Sequence, residues 1–214
     1  MIEIRGLDFT YPNGKEVFRG LDFTLNKGER VGLVGPNGSG KTTLFHLIMG
    51  LLTPDRGEII IFGKPRKSEE DFKEVRRRIG LLFQDSDDQL FCPTVEEDIA
   101  FGPLNLGKSV EEVRRIVKET CELLGLRGFE NHVTHRLSGG EKRLVALATV
   151  FAMQPECYLL DEPTTGLDES TTETIISFLE KQAETFIIIS HDQKMVKRIC
   201  EKVYRLANGK IEKG

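Results

Sequence analysis

The segment Gly35-Pro36-Asn37-Gly38-Ser39-Gly40-Lys41-Thr42 combines glycines, a lysine and a hydroxyl at a spacing that suits a chain of phosphates. The glycines let the backbone curl until successive N–H groups face one anion. A helix starting where the segment ends adds its positive N-terminal end. Lys41 can reach the outer phosphates, the Thr42 hydroxyl can ligate Mg²⁺, and the Thr43 hydroxyl can donate to a phosphate oxygen. Such a cradle needs a carboxylate near its metal. The apolar run Cys157-Tyr158-Leu159-Leu160 ends in Asp161-Glu162. Asp161 is therefore a candidate holder of the metal, and Glu162, pointing differently, a candidate base for an attacking water. Leu137-Ser138-Gly139-Gly140-Glu141 opens a helical pattern with exposed N–H groups and a hydroxyl, which makes a second anion site.

Positioning these groups takes strands buried on both faces and helices between them. Arg30 to Gly35 is a short apolar run without alternation, as is Phe186 to Ile189, which ends in Ser190-His191; such runs are expected of strands in a covered parallel sheet. Ahead of them Ile2 to Ile4, Phe23 to Leu25 and Glu58 to Phe62 alternate, with Pro12-Asn13-Gly14 as a turn. Helix stripes follow at Leu44, Leu47, Ile48 and Leu51, with Gly50 as a stop. Others lie at Phe72, Val75 and Ile79 behind the capping pair Ser68 and Asp71, then at Val110, Val113, Val117, Cys121 and Leu124. Leu144, Leu147, Ala148 and Phe151 form one more, and Ile175, Ile176 and Leu179 the last. Buried strands alternating with helices predict an α/β fold with a parallel sheet, and the strandless stretch from Gln84 to Ala152 predicts an inserted helical subdomain. Asn208-Gly209 predicts a hairpin turn near the end.

Composition narrows the partners. With 30 Lys and Arg against 34 Asp and Glu, the net charge is -4, unlike the strongly basic balance of most nucleic-acid binders. No nucleic acid is expected. The longest mostly apolar stretch, Leu144 to Met153, is far short of the ~20 residues of a membrane span, and nothing near Met1 reads as a signal peptide. The 4 cysteines are scattered without a C-x-x-C pair and are expected to be reduced packing residues. The histidines lack metal-ligand spacing, so any metal is expected to arrive with a ligand.

In type and order these motifs resemble those of ATP-binding cassette (ABC) ATPases, and the resemblance covers essentially the whole chain. It implies a P-loop NTPase fold: a three-layer parallel-sheet core, an N-terminal antiparallel β subdomain and an inserted α-helical subdomain. The divisions are expected at about 1–83, 84–153 and 154–214 of one cassette domain. It implies ATP and Mg²⁺ as ligands. Gly35, Pro36, Asn37, Gly38, Ser39, Gly40, Lys41, Thr42 and Thr43 would hold the phosphates, with Thr42, Gln84 and Asp161 at the metal. Tyr11 would stack on adenine, Glu162 would activate water and His191 would contact the γ-phosphate. Ser138, Gly139 and Gly140 would close over nucleotide held by a partner cassette, beside a contact loop at Gly166-Leu167-Asp168. Glu141 replaces a frequent glutamine and is expected to lie outside that cradle and to matter little.

The stretch Leu82 to Asn105, in which the polar run Asp85-Ser86-Asp87-Asp88-Gln89 precedes Leu90-Phe91, resembles the ATPases of energy-coupling-factor transporters, including cobalt and nickel uptake systems. It implies a groove with an apolar floor and an acidic rim that takes a basic helix of a membrane subunit. The chain would then work at the cytoplasmic face of the membrane, as a nucleotide-dependent pair with a second cassette, on a solute chosen by other subunits. Another ABC importer or exporter, or a soluble non-transport ABC ATPase, are the alternatives; a sustained heptad, expected of the cassettes of chromosome structure, is absent.

Overall fold

In the computed structural model, which describes residues 1–213, the alternation of Ile2, Ile4, Leu7 and Phe9 turns one face of strand β1 (Ile2–Thr10) inward. β1 pairs antiparallel with β2 (Glu16–Leu25). The non-alternating run forms β3 (Arg30–Val34), and the glycine-rich loop leads from it into helix α1 (Lys41–Ile48). β4 (Arg56–Ile61) flanks β1 on its other side and the short β5 (Lys64–Pro65) completes a sheet of order β2-β1-β4-β5. Next come α2 (Glu69–Arg78), β6 (Ile79–Leu82) and a 3₁₀ turn at Ser86–Asp88. The helical insertion consists of α3 (Val95–Asn105), α4 (Val110–Leu123), a 3₁₀ turn at Thr134–Arg136 and α5 (Gly139–Ala152). The chain then returns through β7 (Cys157–Asp161), α6 (Glu169–Gln182), β8 (Phe186–Ile189), α7 (Gln193–Ile199), β9 (Lys202–Ala207) and β10 (Lys210–Lys213).

The second sheet has the order β10-β9-β3-β8-β7-β6. Its pairs β9/β3, β3/β8, β8/β7 and β7/β6 are parallel, and the β9–β10 hairpin adds one antiparallel edge. Each central strand feeds two cores. Leu159 and Ile187 pack on the side of α1 and the β1 sheet, whereas Leu160 and Ile188 pack on the side of α5 to α7. That explains why these strands read as unbroken apolar runs. The hairpin turn has positive φ at both Asn208 and Gly209 (51° and 71°), the conformation a two-residue turn between twisted strands requires.

Several stripe assignments need correction. Leu51 lies beyond the end of α1 and is 47% exposed. Ile79 does not continue α2 but opens β6, and Val110, at the first turn of α4, faces solvent. α3 was not apparent as a helix because Gly102 and Pro103 interrupt its pattern; its Thr94/Glu97 capping box nevertheless starts it cleanly.

Candidate functional site

The strand order explains why distant residues meet. β3, β8, β7 and β6 are neighbours and parallel, so their carboxyl ends form one row, the edge where open α/β sheets bind ligands. β3 delivers Gly35 to Gly40, β8 delivers His191, β7 delivers Asp161 and Glu162, and β6 delivers Gln84. Tyr11, Asn37, Gly38, Gly40 to Thr43, Gln84, Asp161, Glu162 and His191 line one cavity of about 690 Å³.

The loop before α1 depends on glycine. Gly40 has φ 103°, and a Cβ there would come within 2.6 Å of Val17 Cγ1 and 2.9 Å of the Phe18 ring, so any side chain would push the loop off the front sheet. Among the described residues, six of the seven α-helices have a side chain capping the first turn; α1, whose N-cap is Gly40, has none. Its first N–H groups therefore remain for a ligand. The Ser39 hydroxyl is buried in the same loop without a partner. Lys41 Nζ donates to the carbonyls of Gly35 (2.9 Å) and Pro36 (3.1 Å); burial lowers its pKa, against the pull of Asp161 and Glu162.

Tyr11 sits at the end of the front sheet, edge-on to Phe9, with its hydroxyl 2.9 Å from Thr43 Oγ1. Thr42 Oγ1 donates to Asp161 Oδ2, and Gln84 lines the same cavity. A hydroxyl, a carboxylate and a side-chain amide make an all-oxygen set that fits a hard cation such as Mg²⁺. Glu162 follows β7 with φ 51° and its N–H on the carbonyl of Ile189 (2.8 Å). Its Oε1 is buried with no hydrogen-bond partner, 3.5 Å from His191 Nε2, and its Oε2 accepts from Thr165 Oγ1 (3.3 Å) and the His191 N–H (3.4 Å).

Asp161 is 2% exposed, and burial raises its pKa although the Thr42 hydroxyl, Arg143, Lys41 and His46 all oppose the shift. A raised folded pKa favours the neutral acid. The contribution of Asp161 to stability is full below its unfolded pKa and is lost as pH rises through the folded one, so at neutral pH its charge weakens the ligand-free fold. Asp161→Asn keeps an acceptor for Thr42 without the charge. Its melting temperature at neutral pH is expected to rise above that of the wild type, with the gain vanishing in acid; calorimetry across pH checks this.

Ser138, Gly139 and Gly140 are not part of the Lys41 cavity. Gly139 and Gly140 line an adjoining one with Thr42, Gln84 and Thr165, and a Cβ on Gly140 would lie 3.3 Å from the Gly166 carbonyl. Asp168 caps α6, and donors from Thr171 and Ser170 hold its carboxyl well below the usual range. Glu141 is not outside the Ser138 cradle as expected. Its Oε2 accepts from both the N–H and the hydroxyl of Ser138, each at 2.7 Å. The S-x-x-E spacing that signals a capping box was the available clue.

The sequence gives no sign of Arg143, and it places Gln89 only within the polar run before Leu90. Arg143, 4% exposed, donates from Nη1 to the carbonyls of Phe83 (2.6 Å) and Gln84 (3.3 Å) and from Nη2 to those of Asp161 and Glu162. Burial pulls its pKa down to about 10, with Asp161, Glu162 and Asp85 opposing, so it is charged at neutral pH. Gln89 accepts from the Phe83 N–H (3.1 Å) and donates to the Ala146 carbonyl (3.0 Å) and Thr149 Oγ1 (2.8 Å) on α5.

On the outer side of β6 lies a largely apolar groove of about 310 Å³, lined by Leu51, Ile79, Phe91, Phe101 and Met153 among others. Phe91 is 66% exposed and meets Phe101 edge-on at 4.8 Å. The rim is less acidic than expected. Asp85 caps the 3₁₀ turn, Asp87 pairs with Lys142, and Asp98 turns inward to the N–H groups of Phe91 and Cys92, which leaves Asp88 on the rim.

Residues 18–165 match the family model described as ABC transporter. The chain is 49% identical to the energy-coupling factor transporter ATP-binding protein EcfA of Methanocaldococcus jannaschii, covering 100% of this chain and 78% of that protein. The EcfA of Methanothermobacter thermautotrophicus is 46% identical, with 99% and 69% covered. Among solved structures, cbiO1 of Clostridium perfringens, part of the ABC transporter complex cbiONQ, superposes with a TM-score of 0.83 at 33% identity, covering 100% of this chain and 87% of that one. The dimeric ATP-binding cassette MJ0796, in a post-hydrolysis state with ADP and Pi, superposes at 0.91 with 29% identity, covering 100% and 98%. With its phosphate loop, its paired acids and its strand-end histidine gathered on one sheet edge, the chain belongs to the ABC transporter family, as an ATP-hydrolysing cassette.

Proposed function

We propose that this cassette powers an uptake transporter of the energy-coupling-factor type, working as a nucleotide-dependent pair on the cytoplasmic face of separate membrane subunits. Its solute would be a small one, such as a cobalt or nickel ion or a vitamin, chosen by those subunits. On this reading the chain is one cassette domain, with a β-rich front and phosphate-loop core to about residue 83, a helical subdomain to about 153 and a second core half beyond.

Each residue then has one task. The N–H groups of Gly38 to Thr42 and the ammonium of Lys41 bind the phosphates, and the Tyr11 ring lies against the base. Thr42, Asp161 and Gln84 hold Mg²⁺, which when bound neutralises phosphate charge. Glu162 orients and deprotonates a water, and His191, beside that carboxylate, contacts the terminal phosphate. Ser138 to Gly140 serve the nucleotide of the second cassette, after Glu141 releases the Ser138 hydroxyl. Positioning and charge stabilisation supply most of the acceleration.

The observation that carries the transporter reading is the Phe91 groove. A solvent-facing phenylalanine over an apolar trough is an anchor site for a partner helix, and Gln89 ties that groove to α5. Phe91→Asp is expected to weaken co-purification with the membrane subunits by about tenfold or more, on the scale of an aromatic hot spot, while ATP-driven pairing is retained. Purification of the chain with its membrane partners, followed by solute-stimulated ATPase assays, is the test. Recovery of no membrane protein, or equal recovery with Phe91→Asp, would contradict the reading.

A further inference from the structure

Arg143 does not itself line the Lys41 cavity, yet its guanidinium collects the carbonyls of Phe83 and of three residues that do, Gln84, Asp161 and Glu162. These lie at the ends of β6 and β7, which are neighbours in the sheet. One cation from α5 therefore closes the gap between the Gln84 loop and the turn that carries Glu162.

The geometry at Glu162 is selective. In an extended strand, successive carbonyls point to opposite sides. Here the consecutive carbonyls of Asp161 and Glu162 both reach Nη2. That convergence goes with the left-handed backbone of Glu162, φ 51°, which a side chain with a Cβ rarely adopts. The side-chain bonds of Glu162 are too long to impose its aim alone: 3.3 Å from Thr165 and 3.4 Å from the His191 N–H, with Oε1 unpartnered. What fixes the carboxylate is its backbone, which the Ile189 carbonyl holds at the N–H (2.8 Å) and Arg143 holds at the carbonyl (2.8 Å).

We propose that Arg143 is a positioning residue for hydrolysis, holding Glu162 in the left-handed conformation that aims its carboxylate past His191 into the cavity. This rests on the reading of Glu162 as the water-activating base. Because the same guanidinium holds Phe83 and Gln84, α5 and the Gln84 loop cannot shift without moving that carboxylate.

The test uses steady-state ATPase kinetics of the full chain at concentrations where nucleotide-driven pairing is complete. Arg143→Gln keeps donors but cannot span both strand ends; Arg143→Lys keeps the charge without the planar fork. The expected result is a fall in kcat of at least about tenfold with KM for ATP within about twofold, and partial recovery in Arg143→Lys. In a Glu162→Gln background, adding Arg143→Gln should change the residual single-turnover rate by less than about twofold, since a residue acting through Glu162 has nothing left to position. If Arg143→Gln does not fold, as judged by its melting curve, Arg143→Lys carries the same readings. Unchanged kcat in the folded variant, a change confined to KM, or a full multiplicative loss in the double variant overturns the proposal. Loss of turnover in Glu162→Gln without any effect at Arg143 overturns it alone, whereas near-normal turnover in Glu162→Gln overturns the assignment of the base and this proposal with it.

Discussion

Glu162→Gln protein is expected to bind ATP and hold it, with turnover reduced by about 10²–10⁴-fold, the usual contribution of a general base. The amide matches the carboxylate in shape, so the contacts with Thr165 and the His191 N–H can persist, but it cannot take a proton from water. Nucleotide should then stay trapped between two cassettes, so size-exclusion chromatography with ATP should reveal a stable pair where the wild type shows a transient one. The buried, unpartnered Oε1 makes the effect specific. That oxygen lies 3.5 Å from His191 Nε2 at the cavity wall, where a carboxylate can take a proton from water and an amide cannot. Turnover near the wild-type rate would remove Glu162 from the chemistry.

Lys41→Ala should fail one step earlier, at binding. Removing one member of a close charge pair typically costs about 2–5 kcal/mol, which corresponds to a loss in ATP affinity of roughly 30-fold to several thousandfold. Two features of the site push toward the larger value. Lys41 is partly desolvated already, as its lowered pKa records, so less hydration is surrendered on meeting phosphate. It is also held at the loop by the Gly35 and Pro36 carbonyls, which keeps its ordering entropy low before the ligand arrives. Equilibrium binding of a fluorescent ATP analogue measures the loss, and affinity within threefold or so of wild type would contradict the phosphate role.

What the sequence disclosed and what it withheld divide along a physical line. The Gly35 to Thr42 loop was legible because its constraint is local: the glycine spacing follows from the backbone geometry of the loop itself. β3, β7 and β8 were legible because burial on both faces leaves nothing but apolar residues. β6 was not, since its four residues follow α2 without a break and Ile79 extends the apolar stripe of that helix. α3 was hidden by Gly102 and Pro103 within it. Arg143 could not have been found from types and spacing. Its partners are backbone carbonyls 60 and 18 positions away, and a carbonyl has no signature in a sequence. Glu141 was a different kind of miss, because the capping spacing recognised at Ser68 and Asp71 recurs at Ser138 and Glu141 and was not followed there.

The bare start of α1 has a consequence for how folding and substrate binding are related. Every other α-helix among the described residues is capped by a side chain, whereas the first N–H groups of this one face the cavity without such a cap. The nucleotide is thus the last piece of secondary structure as much as it is a fuel. Stabilisation withheld from the empty protein at that turn is released when phosphate docks, and withdrawn again when phosphate leaves.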